Sequence, residues 1–434
     1  MEIGGCTTAS EFCYMQDRSH AKPEEIEAHK DTRLNIIDEV SFAGYSTVLA
    51  RTSRFLKNVT ECQQYQYGKS AICFLGDFCQ LETIDKDVIY KVKNGMYWEQ
   101  VLNCMVELKG THRYKNCPEM QKVMPHIRNH GLSEEHREIL NSRVIDGKKV
   151  KMPSPGKTRY ATYHNAKRCG INMDVFHSYL KKYHGGCTEN NIVETALVIK
   201  ATTKWGKSKL PLSFNQRQVL FQKCSEADVV NSRSKRADPL LCLAYGCNVM
   251  VNENNDVHNG IANGTTAVFQ KAILKSGVKL QPLQMFGYWV NSVCVDDVEQ
   301  LELKWQDSDR FQGKFRIDAI KGVYKVKFPV MAMGRETRVT TTIQLAQFPS
   351  VINYATTGHK LQGKSVDELV IAEWSKVKNW AYVVLSRVRT LAGLFLESPI
   401  PDNIDFSPNP DYLDMMGRLR GSISVTSIDT EGWN

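Results

Sequence analysis

The sequence predicts an α/β fold with a smaller β-rich module in its second half. Short apolar runs that end in acidic residues, LNIID at 34–38 and AICFLGD at 71–77, alternate with segments of helical spacing. From about Asn263 to Phe348 the pattern becomes strand-like, which indicates a small barrel or an inserted β-module. Helical and α/β patterning then returns in NWAYVVLSRVRTLAGLFL. These observations favour two α/β regions, the second of which is interrupted by β structure.

Spacing and capping signals predict the individual elements. The segment YWEQVLNCMVEL at 97–108 has the apolar spacing of a helix. Residues 118–145 are predicted to form two helices, with Ser133 as the N-cap of the second. The basic stretch 146–160 is rich in Pro and Gly and is expected to be a boundary. The polar, Pro-spaced residues 401–434 are expected to form a weakly ordered tail.

Composition disfavours several classes of protein. No apolar run approaches the ~18 residues of a membrane span, and MEIGGCTTASEF lacks the regions of a secretory signal, so neither is expected. Thirteen scattered cysteines with no C-x-x-C pair suit reduced thiols inside a cell better than a disulfide framework. The net charge of +9 permits a polyanionic partner. We expect an intracellular protein, with the basic cluster NSRSKR at 231–236 favouring the nucleus over the cytoplasm or mitochondria.

One group of side chains could be interpreted as a zinc site. Its members are Cys169, His177, His184 and Cys187. Their spacings are irregular, and residues 174–183 have the pattern of an amphipathic helix. A zinc site is therefore disfavoured.

The segment GHKLQGKS at 358–365 fits the P-loop pattern G-x-x-x-x-G-K-[ST]. A P-loop lies between a buried strand and a helix whose N-terminus points at the phosphates. After Ser365 the sequence continues as VDELVIAEW, which is strand-like where a helix is required. The segment is therefore predicted not to be a nucleotide loop, and Lys364 has no phosphate of its own to bind.

Five stretches, in this order, resemble motifs of superfamily 1 DNA helicases. They are IIDEVSF (36–42), FLGDFCQL (74–81), VELKGTHR (106–113), INYATTGHKLQGKSVD (352–367) and AYVVLSRVRTLAGL (381–394). Residues 241–265 resemble the segment before the inserted β-barrel of the petite-integration-frequency family of 5′–3′ helicases, which includes versions carried by Helitron-type transposons. The resemblance extends from Ile3 to about Leu396. It implies two RecA-like domains of the P-loop NTPase type with a small inserted β-barrel.

The resemblance also implies domain boundaries. The expected parts are a first RecA-like domain at 1–115, a helical linker region at 116–155, a second RecA-like domain at 156–262 and 349–400, a barrel-like module at 263–348, and a C-terminal tail at 401–434.

The motifs imply a site for ATP and Mg²⁺. Asp38 resembles the carboxylate that holds Mg²⁺ through water, and Glu39 the one that activates the attacking water. Gln80 would contact the γ-phosphate or that water. Arg113 and Arg387 would stabilise charge on the phosphoryl group, because a guanidinium binds it bidentately. The cofactor-binding set is Asp38, Gln80, Gly363 and Arg387. From the residues alone, Asp38 and Glu39 are equally well interpreted as an ordinary surface turn after a strand, and the alternative for Gln80 is a capping glutamine.

A second set of motif residues is expected to contact DNA. Its members are Asn165, Thr357, His359, Lys360 and Gln362. Their hydroxyl, imidazole, ammonium and amide groups suit binding to a phosphate backbone without sequence preference. From its position alone, Asn165 is equally well interpreted as a turn residue. The expected partners of a monomeric protein are single-stranded DNA or DNA junctions, with no membrane.

The main departure from the family concerns its first motif. The family opens with a strand, a G-x-x-G-x-G-K-T loop and a helix, whereas EIGGCTTASEF here resembles the segment after that loop. We therefore expect a fragment or degenerate copy of an ATP-dependent DNA helicase, with doubtful binding of ATP and Mg²⁺ and negligible hydrolysis by this chain. The alternative is a catalytically inactive helicase remnant that binds nucleic acid.

Overall fold

The computed structural model divides the chain into two compact units. The split unit contains residues 3–153 and 361–434, and the continuous unit contains residues 154–360 together with residues 1–2. The change of unit after residue 153 falls inside the predicted boundary stretch 146–160. The predicted domain boundaries themselves stay a prediction. The structure describes residues 8–12, 22–83, 87–91, 97–146, 150, 158–183, 192–205, 213, 239–256, 259–306, 311–332 and 335–430.

The first part of the split unit alternates helices with parallel strands. In chain order these elements are α1 (Thr8–Glu11), α2 (Pro23–His29), β1 (Leu34–Ile37), α3 (Ala50–Val59), β2 (Ala71–Phe74), α4 (Tyr97–Val101), β3 (Cys104–Lys109), α5 (Pro118–His130) and α6 (Glu134–Asn141). β1 and β2 pair in parallel, with Leu34 opposite Ala71 and Ile37 opposite Phe74. The two predicted strands are confirmed.

The continuous unit is mainly β structure around one long helix. Its elements are β4 (Arg159–Thr162), α7 (Asn165–Tyr183), β5 (Val193–Lys200), β6 (Thr202–Trp205), β7 (Leu240–Ala244), β8 (Asn248–Val251), β9 (Thr266–Leu274), β10 (Gln281–Met285), β11 (Tyr288–Cys294), β12 (Val298–Trp305), β13 (Lys314–Ile317), β14 (Ile320–Ala332), β15 (Arg335–Gln347), β16 (Ser350–Ile352) and β17 (Ala355–Thr357). Within the described residues, three of its sheets have the orders β10-β11-β5-β7, β13-β12-β9-β8-β16 and β14-β15-β6, and β4 pairs in parallel with β17.

The predicted β character of 263–348 is confirmed, because each regular element described there is a strand apart from a 3-10 turn at Val295–Asp297. The sheets also use β5 to β8, which precede this range. One apolar core joins them, and it includes Phe176 and Leu180 of α7. Closure into a barrel stays a prediction.

The chain then returns to the split unit. Its last elements are α8 (Gly358–Leu361), which crosses the boundary at residue 360, β18 (Leu369–Ile371), α9 (Trp380–Leu385), β19 (Leu394–Leu396), α10 (Pro410–Ser422) and β20 (Ser424–Asp429). β18 and β19 pair in parallel, and β20 pairs in parallel with β3.

Two predictions about elements are wrong and one is confirmed. The helix expected over 97–108 ends at Val101, and the rest is strand β3, because its partner β20 is distant in sequence and local spacing could not reveal it. The expected weakly ordered tail contains α10, whose apolar side chains enter the core beside Trp98. Helices α5 and α6 agree with the prediction for 118–145, and Ser133 Oγ accepts a hydrogen bond from the His136 amide at 3.3 Å.

Candidate nucleotide site and candidate nucleic-acid contacts

The acidic pair Asp38 and Glu39 follows β1 directly, at the carboxyl end of the β1–β2 pair. The Glu39 amide donates to Asp38 Oδ1 at 2.8 Å. Glu39 is in the left-handed region at φ 53°, a conformation that non-glycine residues rarely adopt and that is enriched at functional sites. Gly76 lies beneath this turn, where a Cβ would come within 2.8 Å of the Val40 nitrogen. The backbone therefore needs glycine there for the acidic turn to form.

The segment after α8 contacts Glu39. Gln362 Nε2 donates to Glu39 Oε2 at 3.1 Å. Gly363 has φ of 75°, and a Cβ at that position would lie 3.4 Å from Glu39 Oε1. Gln362 Oε1 is buried and has no hydrogen-bond partner within the described ranges. Gln362 was predicted as a DNA contact, but in the structure its side chain is bonded to Glu39, the candidate catalytic carboxylate.

Two arginines complete this cluster. Arg113 Nε donates to Ser365 Oγ at 3.0 Å, and its Nη1 donates to the Ser386 carbonyl at 2.7 Å. Arg387 is 2% exposed, and among the described residues its guanidinium donates to the Val383 carbonyl and to Ser386 Oγ. In the part of the chain that the structure describes, neither guanidinium has a carboxylate within ion-pair distance.

The electrostatics of this pair favour an anion. Burial and the neighbouring charge of Arg113 lower the pKa of Arg387 to about 10, against an opposing contribution from Glu39. Arg387 therefore stays protonated near neutral pH, although it is buried beside a second cation. A bound anion such as a phosphoryl group would supply the missing counter-charge and accept bidentate hydrogen bonds.

Gln80 lies in a turn fixed from three sides. Its amide donates to the Asp77 carbonyl at 3.0 Å, and Asn379 Nδ2 donates to the Gln80 carbonyl at 2.8 Å. Asp77 in turn accepts from Arg128 Nη2 at 3.1 Å. The side-chain Oε1 of Gln80 is buried and has no partner among the residues described. Asn379 occupies the N-cap position of α9 without a side-chain capping hydrogen bond, and Arg387 follows the same helix. This six-residue helix therefore connects Gln80 with the arginine pair.

The predicted DNA contacts Asn165, Thr357, His359 and Lys360 lie together in the continuous unit. β4 and β17 pair in parallel, with Thr162 opposite Thr357, so their carboxyl ends meet. Asn165 begins α7 just beyond β4, and its Oδ1 accepts from Arg168 Nε at 3.3 Å.

His359 and Lys360 follow β17 in α8. Burial lowers the pKa of His359, which favours a neutral imidazole. Lys360 Nζ donates to Asn263 Oδ1 at 3.1 Å, in the NGT segment at 263–265.

The structure agrees with the interpretation of 358–365 as something other than a P-loop. Residues Gly358–Leu361 form a short helix, and the Lys364 amide donates to the Leu361 carbonyl at 3.0 Å. The chain then continues into β18. A helix that precedes the lysine and a strand that follows it reverse the order that phosphate binding requires.

Some of the residues that build the site were not predicted. Ser365 and Ser386 orient Arg113, and Asn379 and Arg128 fix the turn before Gln80. The serines are next to motif residues in sequence, which is a weak signal. Nothing in the sequence marks Asn379 or Arg128, because their roles depend on contacts with distant segments.

Among the described residues, no group of three or more His, Cys, Asp or Glu side chains could hold a metal ion. Cys169 and His177 lie on α7, and His184 and Cys187 fall outside the described residues. A search of the same residues finds no helix with the length and apolar character to cross a membrane.

No protein-family model matches the sequence, and no curated protein matches it. Solved structures do. Bacteroides Pif1 bound to ssDNA has a TM-score of 0.63 at 18% identity over 96% of this chain and 84% of that chain. Bacteroides Pif1 helicase in complex with ADP-AlF3 and ssDNA gives the same values. Pif1 helicase from Candida albicans has a TM-score of 0.59 at 17% identity, over 96% and 86% of the two chains.

The class of fold follows from these likenesses. The predicted α/β architecture is confirmed, and it is the RecA-like fold of Pif1 helicases. At this level of identity the likeness concerns the fold alone.

Proposed function

We propose that the chain is the motor part of an ATP-dependent DNA helicase or translocase that moves 5′–3′ on single-stranded DNA or at DNA junctions. The observation that carries this proposal is the pair formed by the buried Arg387 and the half-buried Arg113, in the same cluster as Glu39. Among the described residues, neither guanidinium has a carboxylate within ion-pair distance. The similar Pif1 structures that contain ssDNA and ADP-AlF3 support it.

The residues around Glu39, Arg113 and Arg387 fit the phosphates of a nucleoside triphosphate. Mg²⁺–ATP would supply the phosphoryl group and its leaving group. Asp38 would hold the metal through water, and Glu39 would take the proton from the attacking water. Oε1 of Gln80, which has no partner within the described ranges, can accept a hydrogen bond from that water. Arg113 and Arg387 would neutralise charge that develops on the phosphoryl oxygens.

The continuous unit would bind the nucleic acid. An amide, a hydroxyl, a neutral imidazole and an ammonium group follow the carboxyl ends of the paired strands β4 and β17. They belong to Asn165, Thr357, His359 and Lys360. Such groups bind phosphates and sugars without reading bases. Gln362 connects this segment to Glu39, so DNA bound near 357–360 can influence the candidate catalytic carboxylate.

Hydrolysis also requires a phosphate-binding loop and its lysine. The one P-loop pattern in the sequence is not such a loop, so we propose that the chain alone hydrolyses ATP negligibly and that its parent protein is the active motor. A Helitron-like origin is part of this proposal. The alternative remains an inactive remnant that binds DNA.

The test compares ATP hydrolysis by this chain with that of a product extended in frame upstream of Met1. We expect DNA-stimulated hydrolysis only in the extended product, abolished by Glu39→Gln and by Arg387→Ala, with DNA binding largely retained. Hydrolysis that survives Arg387→Ala would contradict the assigned site. An extended product that binds DNA and never hydrolyses ATP would establish the remnant.

A further inference from the structure

In the continuous unit, the sheet β13-β12-β9-β8-β16 has an apolar inner face and a charged outer face. Leu301 and Leu303 of β12 belong to the apolar core, together with Ile317 of β13. Because successive side chains of a strand point to opposite faces, the residues beside them point outward. The outward charged side chains on β9, β12 and β13 are Lys271, Glu302, Lys304, Lys314 and Arg316. We name this surface the charged face.

The carboxylate of the charged face is held by two of its cations. Lys314 Nζ donates to Glu302 Oε1 at 2.9 Å, and Arg316 Nη2 lies 3.8 Å from Glu302 Oε2. The hydrogen bond from Lys314 lowers the pKa of Glu302, so its carboxylate stays charged near neutral pH. The Glu302 side chain is 10% exposed, whereas those of Lys314 and Arg316 are each 56% exposed. The two cations are therefore accessible to a larger anion above the carboxylate.

The other lysines of the charged face are less well balanced. Lys304 lies directly opposite Lys314 in the register of β12 and β13, and like charges in opposite positions destabilise a sheet. Among the described residues, neither Lys304 nor Lys271 has a carboxylate within ion-pair distance. Asp318, just beyond β13, accepts a hydrogen bond from Gln300 Nε2 at 3.0 Å. A bound polyanion would relieve the repulsion between the two opposite lysines.

The charged face continues to the candidate nucleic-acid contact at Lys360. Val249 and Val251 of β8 are in the core, so Met250 between them points to the outer side of the same sheet. Lys360 Nζ lies 3.8 Å from Met250 Sδ. Strands β8 and β12 both pair with β9, so two strand spacings, about 10 Å, separate them. Lys360 and Lys304 therefore lie on one surface of the continuous unit.

This surface suits a duplex better than a single strand. Its cations lie on three neighbouring strands spaced about 4.8 Å apart, so they form a patch that can contact the phosphates of two strands at once. Proteins that bind single strands also stack bases on aromatic side chains. The aromatic residues of β9, β12 and β13 pack with the core instead, and they are Phe269, Trp305 and Phe315. The charged face therefore offers phosphate contacts without a stacking surface.

We propose that the charged face binds the phosphates of the double-stranded part of a DNA junction, beside the single strand that Lys360 contacts. The inference rests on the proposed function, because it adds a second segment of the nucleic acid to the same unit. Charge complementarity and continuity with Lys360 support it. Lys304 and Lys314 would each contact one phosphate. Glu302 would hold Lys314 in position and at the same time weaken its attraction for the duplex.

Fluorescence anisotropy of the 434-residue chain tests this with a blunt duplex, oligo(dT), and the same duplex with an oligo(dT) tail. With K304A/K314A we expect both duplex probes to bind at least about tenfold more weakly near physiological salt. Their salt slope should fall by about 1.8, because each phosphate contact contributes about 0.9 on double-stranded DNA. Binding of oligo(dT) should change by less than about twofold.

The control matched in charge is K181A/K182A, which removes two exposed lysines at the end of α7 in the same unit. It should change the affinity for each of the three probes by less than about twofold, because these lysines lie outside the charged face.

Glu302→Gln is a variant that should gain binding. The substitution keeps the shape of the side chain and removes a negative charge next to Lys314 and Arg316. The tailed duplex should therefore bind at least about twofold more tightly, with oligo(dT) unchanged. A variant that only disturbed the fold would not tighten binding.

Four results would overturn the proposal. Equal losses for oligo(dT) and the duplex with K304A/K314A would assign the charged face to the single strand. Losses no larger than those of K181A/K182A, or no binding of duplex by the unmodified chain at low salt, would make it a solvated surface. Unchanged or weaker duplex binding by Glu302→Gln would contradict the role of the carboxylate. If Lys360→Ala leaves oligo(dT) binding unchanged, the assigned strand contact fails, and the duplex comparison still decides this proposal.

Discussion

The buried guanidinium of Arg387 has no carboxylate within ion-pair distance among the described residues. Its hydrogen bonds to Val383 and Ser386 therefore offset only part of the cost of desolvation. We therefore expect Arg387→Met to leave the ligand-free chain within about 1 kcal/mol of its original stability, or more stable, while the same substitution in the extended product abolishes DNA-stimulated ATP hydrolysis. Chemical denaturation of the free chain is the measurement. Arg389→Met is the control, since Arg389 is mostly exposed with Asp367 3.7 Å away. A loss of several kcal/mol on Arg387→Met would show that the arginine serves the fold.

Lys364 provides a second residue-scale prediction. Its backbone closes the turn after α8, and the chain continues into β18 with no helix N-terminus for phosphates. Lys364→Ala should leave nucleotide binding and hydrolysis by the extended product nearly unchanged, with at most the loss of one phosphate contact to DNA. Steady-state ATPase assays check this, with Arg113→Ala as the positive control. Loss of nucleotide binding on Lys364→Ala would restore the P-loop interpretation.

Helix α10 provides a prediction at the scale of elements, because only one of its faces is buried in the core. Leu419 is 2% exposed within the core, whereas Leu413 on the same helix is 52% exposed. Leu419→Ala should destabilise the split unit by about 2–5 kcal/mol, and Leu413→Ala by less than about 0.5 kcal/mol. The free energy of unfolding is measured by urea denaturation. Equal and small losses for both substitutions would contradict the prediction and indicate a weakly ordered tail.

The segment before α10 contains an acid-sensitive contact. Lys378 Nζ donates to Asp405 Oδ2 at 2.6 Å, and this bond, with those from Ser407, lowers the pKa of Asp405 to about 2 from its ordinary 3.8. The folded-state pKa is depressed, so the stabilisation is present above pH 3.8 and lost as pH falls toward about 2. Because the carboxylate is 60% exposed, Asp405→Asn should cost no more than about 1 kcal/mol at pH 7 and nothing near pH 2. Denaturation at the two pH values measures this difference.

Elements with local signals could be predicted, and those that depend on distant partners could not. Strands β1 and β2 carry apolar runs with acidic ends, and α6 begins at a serine cap. β3 and α10 lack such signals. β3 depends on its pairing with β20, and α10 depends on burial in the apolar cluster that contains Trp98, so both rest on contacts with distant segments. The same limit applies to the site. Motifs predicted roles for Glu39 and Arg387. They could not predict that Gln362 bonds to Glu39, or that no described carboxylate lies within ion-pair distance of Arg387.

At the scale of the whole molecule, the net charge of +9 and the cluster near Lys360 predict salt-dependent binding to single-stranded DNA. We expect micromolar or weaker affinity, with log affinity falling against log salt by about 0.7 per contacted phosphate. Lys360→Ala should reduce that slope by about 0.7. Fluorescence anisotropy of labelled oligo(dT) at several salt concentrations measures it, with Lys376→Ala as a matched surface control. Salt-insensitive binding would contradict a phosphate-dominated interface.

The pairing of β3 with β20 has a consequence for synthesis. Cys104 of β3 can pair with Ser424 of β20 only after nearly all of the chain has left the ribosome. Residues 154–360, in contrast, form a compact unit through contacts among themselves. The continuous unit can therefore fold during translation, and the split unit must hold β3 as an unpaired edge until the end. Because contacts distant in sequence form slowly, the split unit should set the folding time and form the intermediate that needs chaperone protection.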